Sequence, residues 1–318
     1  MAEAPGRHCP VSYRYGGAAL GAAGAFETET LWIAGGLYGN RFALARLLEL
    51  FDAEPGPKAL VCNGDFHWFD VDADEFAAVQ SLVLAHRATR GNVETELADP
   101  GEAAGCGCAY PDWVADAEVA RSNRIIERLR RVARAQPESL TALGRLPMHL
   151  AASVAGARIA IVHGDADSLA GWGFAQERLA TAEGRAAARE ALRATRAQVI
   201  ASSHTCLPVL HAFDGDGVIV NNGAAGMPNF HGTQFGIATR ISVRPGPGAL
   251  YAARHGALHI EARAIDFDAA AWRRRFAELW PAGSDADASY HSRIVSGPCY
   301  HPDSALRYEA AESVLRAA

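Results

Sequence analysis

The chain has 318 residues, 49% of them hydrophobic and 21% charged, so it can bury one substantial core and lacks the composition of a disordered protein. Its net charge is −6, and its arginines alternate with acidic residues along the predicted helices, which argues against a nucleic-acid partner. Its apolar stretches are too short to span a membrane and its six cysteines are too few for a disulfide framework, so we expect a soluble, cytoplasmic protein with reduced thiols and no membrane partner.

The first part of the chain predicts an arm followed by βα units. Residues 1–30 are rich in glycine, alanine and proline, and we expect an N-terminal arm in which Val11–Tyr15 could form a short edge strand. The spacing of apolar residues then predicts an amphipathic helix over Asn40–Phe51. Apolar runs predict buried strands at Leu31–Ala34, Lys58–Cys62 and, less clearly, His86–Arg90.

A long insertion and a strand-rich second half complete the chain. Residues 95–144 form the insertion, with a helix predicted from Pro111 to about Ala135. Residues 285–318 form a C-terminal extension ending in a helix predicted at Ser304–Arg316, so the main domain would be 31–284. In the second half, helices are predicted at about Gly173–Ala182 and Gly184–Thr195, and strands at Met148–Val154, Arg158–Val162, Gln198–Ser202, Val209–Phe213 and Val218–Asn221.

Four residues with metal-binding side chains come just after four of these apolar runs, within three residues of each run's end. They are Asp65, Asn92, His163 and His204. Because ligands gather at the carboxyl ends of strands in open α/β sheets, the four side chains are expected to meet. Asp65 could instead cap a helix, Asn92 could serve a turn, and each histidine could be a hydrogen-bonded core residue. As a set, one Asp, one Asn and two His suit Mn²⁺, Fe or Zn²⁺ better than Ca²⁺.

The order of these segments resembles the calcineurin-like metallophosphoesterase superfamily, whose pattern is D-x-H, G-D, G-N-x-[DE], H and G-H-x-H. The corresponding segments are Gly36-Leu37-Tyr38, Gly64-Asp65, Gly91-Asn92-Val93-Glu94, His163 and Ser203-His204-Thr205-Cys206. Val218–Pro228 and Ile260–Ala271 resemble the family's later turn and its closing strand and helix, so the resemblance spans roughly residues 31–280. It implies an α/β fold, a four-layer αββα sandwich of two mixed β-sheets flanked by helices, with the insertion capping the active site.

The departures from the family pattern fall on one half of the metal site. The half-site that the resemblance assigns to the second metal is complete, with Asp65, Asn92, His163 and His204. In the other half-site, Gly36, Tyr38 and Cys206 replace an aspartate and two histidines. We therefore expect one divalent transition metal per chain, or a second metal held differently. Tyr38 could fill the lost metal's space, bind iron as a phenolate, or donate to a phosphoryl oxygen, and Cys206 could bind metal as a thiolate.

Several further residues are candidates for the rim of the site. His67 and Asp165, each two residues after a predicted ligand, could act as catalytic groups or be ordinary surface residues. Asn40 and His231 are possible replacement ligands or substrate contacts. Cys106 and Cys108 open the insertion and could fold over the site and donate sulfur, while Glu94 is expected to orient histidines. In the family, the position of Val93 often carries a histidine that serves as general acid.

These residues predict a metal-dependent phosphoester hydrolase, a phosphatase or a phosphodiesterase, that acts on a small phosphorylated substrate. The metal would polarise a phosphoryl oxygen and activate water. Two alternatives stay open: a non-catalytic scaffold with the same fold, and a different reaction at a mononuclear metal, including redox chemistry with iron.

Overall fold

The protein folds into two β-sheets packed face to face, with helices on both outer faces. The computed structural model describes residues 5–100 and 105–309. The strands in that part of the chain are β1 (Ala25–Thr28), β2 (Thr30–Ala34), β3 (Lys58–Asn63), β4 (Arg87–Thr89), β5 (His149–Val154), β6 (Ala157–Val162), β7 (Val199–Ser202), β8 (Val209–Phe213), β9 (Gly217–Asn221), β10 (Gly236–Ser242), β11 (Ala249–His255), β12 (Leu258–Ile265) and β13 (Leu306–Glu309).

The helices alternate with these strands in the first half and decorate the sheets in the second. Asn40 caps the amphipathic helix α2, whose first free N–H groups at Phe42 and Ala43 donate to the Asn40 side chain. The helices are α1 (Gly17–Ala22), α2 (Arg41–Asp52), α3 (Ala73–Leu84), α4 (Asn92–Ala98), α5 (Asp116–Ala133), α6 (Pro137–Gly144), α7 (Gln176–Leu179), α8 (Ala182–Thr195), α9 (Ala269–Leu279) and α10 (Asp285–Ser296).

Each sheet mixes parallel and antiparallel pairs. Within the described residues, one sheet has the strand order β1-β5-β6-β7-β9-β8-β13 and the other has the order β11-β12-β10-β2-β3-β4. In the second sheet, β2, β3 and β4 run parallel, whereas β10 pairs antiparallel with both β2 and β12. The parallel strands β6, β7 and β9 form the centre of the first sheet. This arrangement confirms the predicted mixed sheets.

Apolar side chains fill the space between the sheets and both outer faces. Leu31, Ile33 and Val61 of one sheet pack with Ile161 and Val199 of the other in a fully buried layer. A second cluster buries the outer face of the β2–β4 sheet beneath α2, α3, α5 and α9, and a third buries the other sheet beneath α1 and α8. The result is the predicted αββα sandwich, held by a core on each side of each sheet.

Some local predictions were wrong. Val11–Tyr13 is a short 3-10 helix rather than an edge strand, and the edge position belongs to β1, which pairs with β5. Leu306–Glu309 is strand β13 rather than part of a helix, because its backbone pairs with β8 and Leu306 packs against the layer between the sheets. The rest of the predicted Ser304–Arg316 helix, from residue 310 on, lies outside the described residues. The domain boundaries at residues 30 and 284 stay a prediction.

None of the helices in the described part of the chain combines the length and apolar character that a membrane span requires.

Candidate metal centre

The predicted ligands lie where the two sheets meet at the carboxyl ends of their strands. Asn63, the last residue of β3, ties the sheets together because its amide Nδ2 donates to the Val162 carbonyl at 2.7 Å and to the Ser203 hydroxyl at 2.9 Å. Thr89 of β4 donates to the Asn63 amide oxygen at 2.9 Å. This buried network fixes the positions at which the chain leaves β3, β6 and β7.

Hydrogen bonds fix the tautomer of each histidine so that an unprotonated nitrogen faces the centre. His163 Nδ1 lies 2.8 Å from the Asn63 carbonyl, so it carries the proton and leaves the lone pair on Nε2. His204 Nε2 lies 2.9 Å from the Cys108 carbonyl, so its lone pair is on Nδ1. These two lone-pair nitrogens, His163 Nε2 and His204 Nδ1, lie 3.3 Å apart.

The two oxygen ligands approach the same point. Asp65 Oδ2 lies 3.3 Å from His163 Nε2, and Asn92 Oδ1 lies 3.2 Å from it. The Asn92 amide is held in this orientation because its Nδ2 donates to the Cys106 carbonyl at 3.0 Å. Asp65 is held by its other oxygen, which accepts from the Val93 N–H at 3.2 Å.

This donor set fits a transition metal. Ligands about 2.0–2.1 Å from a tetrahedral metal lie about 3.3–3.4 Å from one another, which matches the three separations measured from His163 Nε2. The ligand atoms of Asp65, His163 and His204 all lie within 4.8 Å of one another, and all three residues are buried. Two imidazoles, a carboxylate and an amide oxygen suit Mn²⁺, Fe or Zn²⁺.

The electrostatics of the centre favour one positive charge beside Asp65. Burial acts to lower the pKa of His163, but the Asp65 carboxylate outweighs it and holds that pKa above its ordinary value. Burial acts to raise the pKa of Asp65, and the charge of His163 outweighs it in the opposite direction. The pKa of His204 is lowered to about 4 by burial and by His163. A metal ion would take the place of the proton on His163.

The other half of the site is filled by protein. A Cβ atom at Gly36 would lie 2.5 Å from the phenol oxygen of Tyr38, so the Tyr38 ring occupies the space of the missing side chain. Tyr38 Oη lies 2.8 Å from Cys206 Sγ, and the Cys206 thiol donates to the His204 carbonyl at 3.3 Å. Burial raises the pKa of both Tyr38 and Cys206, so both are protonated and uncharged at neutral pH. The arrangement favours the prediction that Tyr38 fills the lost metal's space over a phenolate or thiolate ligand.

Glu94 has a different role from the one predicted. Its two carboxylate oxygens accept from backbone N–H groups, one from those of Asp65 and Gly91 at 2.8 Å each and the other from Phe66 at 3.0 Å and, more weakly, His67 at 3.4 Å. These are hydrogen bonds to the loops that carry the ligands, not to histidine rings. Glu94 is fully buried and joins the turn after β3 to the start of α4.

His67 does not reach the mouth of the site, contrary to the prediction. Its ring is fully buried, lies parallel to the Phe76 ring at a centroid distance of 3.8 Å, and points Nδ1 at Asp70 Oδ2, 2.6 Å away. The turn begins at Asp65 in the left-handed conformation, with φ of 53°, and directs His67 into the core.

Asp165 also lies away from the cleft, because its carboxylate is occupied within its own loop. Oδ1 accepts from the N–H groups of Asp167 and Ser168, and Oδ2 accepts from that of Gly173, each at 3.0 Å. This loop carries Trp172, which does line the cleft. The contribution of Asp165 to the site is therefore the shape of the loop.

The two remaining candidates, Asn40 and His231, are also outside the cleft. Asn40 is fully buried, where it caps α2 and donates from Nδ2 to the Gly226 carbonyl at 2.9 Å. His231 is exposed and lies against His301, with a ring centroid distance of 5.7 Å. Neither position touches the predicted ligands among the described contacts.

Besides Cys108, which the sequence predicted to fold over the site, the walls of the cleft include residues that the sequence did not single out. Tyr110 comes from the insertion, as Cys108 does, Trp172 from the loop after β6, and Tyr290 from α10 in the C-terminal extension. The cleft encloses about 440 Å³ counted to its open mouth. Its full lining among the described residues is Tyr38, Asp65, Trp68, Asn92, Val93, Cys108, Tyr110, Trp172, His204, Thr205, Cys206 and Tyr290. The insertion and the extension therefore both cover the site.

Comparison with known proteins identifies the fold. No protein-family model matches the sequence, and no curated protein matches it either. A metallophosphoesterase from Sphaerobacter thermophilus aligns with a TM-score of 0.55 at 16% identity, covering 85% of this chain and 100% of that one. A hypothetical protein from Pyrococcus horikoshii OT3 aligns with a TM-score of 0.57 at 13% identity, covering 85% and 99%. The chain thus has the metallophosphoesterase fold that the sequence resemblance implies.

Proposed function

We propose that the protein is a phosphoester hydrolase that works with one divalent transition metal held by Asp65, Asn92, His163 and His204. The observation that carries this proposal is the convergence of four electron-pair donors on one point. The N–H of each imidazole is bonded elsewhere, to Asn63 and to Cys108, and the Asn92 amide hydrogens face Cys106. With both imidazoles neutral, no hydrogen bridges these donors, so a cation must balance them: a proton on His163 Nε2 in the metal-free protein, or the metal when it is bound.

The residues around the centre define what the protein contributes to the reaction. A metal bound there would supply Lewis-acid activation of a phosphoryl oxygen and of a water molecule. The hydroxyls of Tyr110 and Tyr290 line the cleft, but burial raises both pKa values well above neutrality. They can donate hydrogen bonds to a leaving oxygen without giving up a proton. We therefore expect water to protonate the leaving group and acidic leaving groups to react fastest.

The filled half-site also supports a second candidate, a metal-binding scaffold without turnover. Tyr38 and Cys206 occupy the place where the family's other metal would complete a paired clamp on the phosphoryl group. A single metal could then remain for structural reasons. A redox reaction is less well supported, because Tyr38 and Cys206 bond to each other and keep their protons.

The test is elemental analysis of protein purified without chelator or affinity metal, with His163→Ala and Cys206→Ala as matched variants. We expect about one metal per chain in the wild type, loss of that metal in His163→Ala, and retention in Cys206→Ala. The same preparations are then assayed with p-nitrophenyl phosphate and methyl p-nitrophenyl phosphate in Mn²⁺, Fe²⁺ and Zn²⁺. One bound metal without hydrolysis of either ester would favour the scaffold. Two metals, one lost with Cys206, would refute the mononuclear site.

A further inference from the structure

The charge of the cleft is the first observation that bears on the substrate. Asp65 is the only acidic side chain among the described lining residues, and an imidazole that binds a metal, as His204 would, is neutral. No arginine or lysine of the described residues lines it. Enzymes that bind a doubly charged phosphate group commonly surround it with such cations.

Charged groups just outside the lining do not change this balance. Arg293 of α10 lies behind Cys206, where its guanidinium donates to the backbone carbonyls of Cys206 at 3.0 Å and Pro228 at 3.1 Å. Glu94 lies on the other side, bound to backbone N–H groups. Arg293 and Glu94 have opposite formal charges. The lining with a divalent metal and Asp65 therefore has a formal net charge of +1.

The shape of the mouth is the second observation. Trp172 stands edge-on to His204 at a centroid distance of 5.5 Å, with Tyr110 at 6.0 Å and Trp113 at 6.3 Å on its other sides. Trp113 is 68% exposed, an unusual position for so large an apolar ring. Trp172 and Tyr110 thus give the cleft an aromatic wall beside His204, and Trp113 packs on Trp172 outside the lining. Flat rings stack on such walls with little dependence on their identity.

On the basis of the hydrolase function proposed above, we propose that the substrate is a phosphodiester that carries a flat ring, such as an aryl group or a nucleobase. A diester brings one negative charge, which the net charge of the loaded cleft neutralises. A monoester dianion would leave one uncompensated negative charge inside partly apolar walls. The ring of the substrate would lie against Trp172.

The proposed reaction also accounts for release of the product. Water forms a new bond to phosphorus, the bond from phosphorus to the leaving oxygen breaks, one proton of the water ends on the leaving alcohol, and the other stays on the new phosphate hydroxyl. That monoester has a second pKa of about 6, so it ionises again at neutral pH. The product then carries two charges, which the cleft does not neutralise, so it binds less tightly than the substrate.

The first test measures binding and does not depend on turnover. Calorimetry with the Mn²⁺-loaded protein at pH 8 compares methyl phenyl phosphate, phenyl phosphate and dimethyl phosphate. The first two share a ring and differ in charge, whereas the first and third share a charge and differ in the ring. We expect methyl phenyl phosphate to bind at least about tenfold more tightly than either. If phenyl phosphate binds as tightly as methyl phenyl phosphate or more tightly, the preference for a single charge is wrong. If dimethyl phosphate binds as tightly as methyl phenyl phosphate, the stacking of a substrate ring on Trp172 is wrong.

The second test uses variants that separate the ring from the charge. Trp172→Leu and Trp172→Phe both lose the hydrogen bond from the indole to Cys108, but only the phenylalanine keeps a ring. We expect Trp172→Leu to lose most of the preference for methyl phenyl over dimethyl phosphate and Trp172→Phe to retain it. An equal loss of this preference in both variants would contradict the stacking of the substrate ring on Trp172.

Thr205→Lys adds a cation to the lining and Thr205→Gln is its neutral control, since both lose the hydrogen bond from Asn221. Only the lysine should improve binding and turnover of the monoester, by about tenfold relative to the diester. No difference between the two variants would contradict the charge argument.

The outcomes separate this inference from the proposed function. Faster hydrolysis of p-nitrophenyl phosphate than of methyl p-nitrophenyl phosphate would overturn the inference and leave the hydrolase standing, whereas hydrolysis of neither ester would overturn the hydrolase.

Discussion

The two halves of the site bury polar side chains in opposite ways. On one side, His163 and its three partners bring lone pairs and a carboxylate together, an arrangement that calls for a positive charge, either a proton on His163 or a metal ion. On the other side, Tyr38 and Cys206 keep their protons and bond to each other, so no charge needs compensation. The second half is therefore filled by neutral, hydrogen-bonded side chains rather than left as an incomplete set of metal ligands.

The three replacements in the filled half depend on one another. The Tyr38 ring fits only because Gly36 has no side chain, and the Tyr38 hydroxyl finds a partner because Cys206 is there. A histidine or aspartate left alone among them would be a buried polar group without its metal. The remodelling therefore makes sense as a set, and single reversions should be unfavourable.

Reversion of the whole set would produce the largest effect. We expect Gly36→Asp/Tyr38→His/Cys206→His to restore the ligands that the family pattern places beside Asp65 and to raise the metal content from about one to about two per chain. Elemental analysis after dialysis against Mn²⁺ or Zn²⁺ measures this directly. The control is Tyr38→His/Cys206→His, which lacks the carboxylate and should bind the second metal far more weakly. A triple variant that folds and still holds one metal would break the comparison.

Glu94→Gln should disturb the loops that carry the candidate ligands Asp65 and Asn92. The carboxylate accepts from the turns that carry Asp65 and Asn92, and an amide would turn one N–H₂ group against those donors. We expect a loss of about 3 kcal/mol in the free energy of unfolding and a fall of about tenfold or more in metal affinity. Urea denaturation and competition with a chromophoric chelator measure the two. Glu278→Gln, an exposed pair partner of Arg275, should change stability by less than about 0.5 kcal/mol.

Gly36→Ala tests the packing of the filled half. The added methyl would overlap the Tyr38 ring, and overpacking of this kind costs about 1–3 kcal/mol. In a Tyr38→Gly background, which lacks the ring and suits the positive φ of 54° at this position, the same Gly36→Ala change should cost much less than it does in the wild type. In a Tyr38→Phe background, which keeps the ring, it should cost as much as in the wild type. An equal cost of Gly36→Ala in the two backgrounds, measured in urea, would show that the ring is not the obstacle.

The smallest expected effect is on the pH dependence of metal binding. This dependence should come from the half of the site that contains His163, not from the half filled by Tyr38 and Cys206. A protonated imidazole cannot bind metal, and Asp65 holds the pKa of His163 above its ordinary 6.5 in the metal-free protein. Affinity should therefore fall about tenfold per unit as the pH decreases below that pKa, while His204, with a pKa of about 4, stays neutral. Chelator competition between pH 8 and 5.5 measures the curve. Cys206→Ser should give the same curve, because the raised pKa of Cys206 already keeps it protonated.

The fold and the positions of the candidate ligands were accessible from the sequence because short-range patterns specify them. Asp65, His163 and His204 lie one or two residues beyond the ends of β3, β6 and β7, and parallel strands bring such positions to one edge. Asn40 was predicted as a ligand or substrate contact, but it stands directly before an amphipathic helix and the structure shows it as the helix cap.

The side chains around the ligands were less accessible because tertiary packing decides them. His67 is close to Asp65 in sequence, but the turn between them rotates it toward Phe76 and away from the cleft. Trp172 and Tyr290 meet over the site from segments more than 100 residues apart, and no local pattern marks them. The remaining trace in the sequence is the cluster of aromatic residues at Tyr110 and Trp113 within the insertion, which lie against Trp172.

One carbonyl oxygen accepts hydrogen bonds from both the candidate ligand His204 and the cleft residue Trp172. The Cys108 carbonyl accepts both from His204 Nε2 at 2.9 Å and from the Trp172 indole at 3.0 Å, which engages both of its lone pairs. Moving the wall therefore disturbs the bond that sets the tautomer of His204. If His204 binds a metal, metal binding and ligand binding in the cleft share a coupling free energy, and by reciprocity each changes the affinity for the other by the same factor.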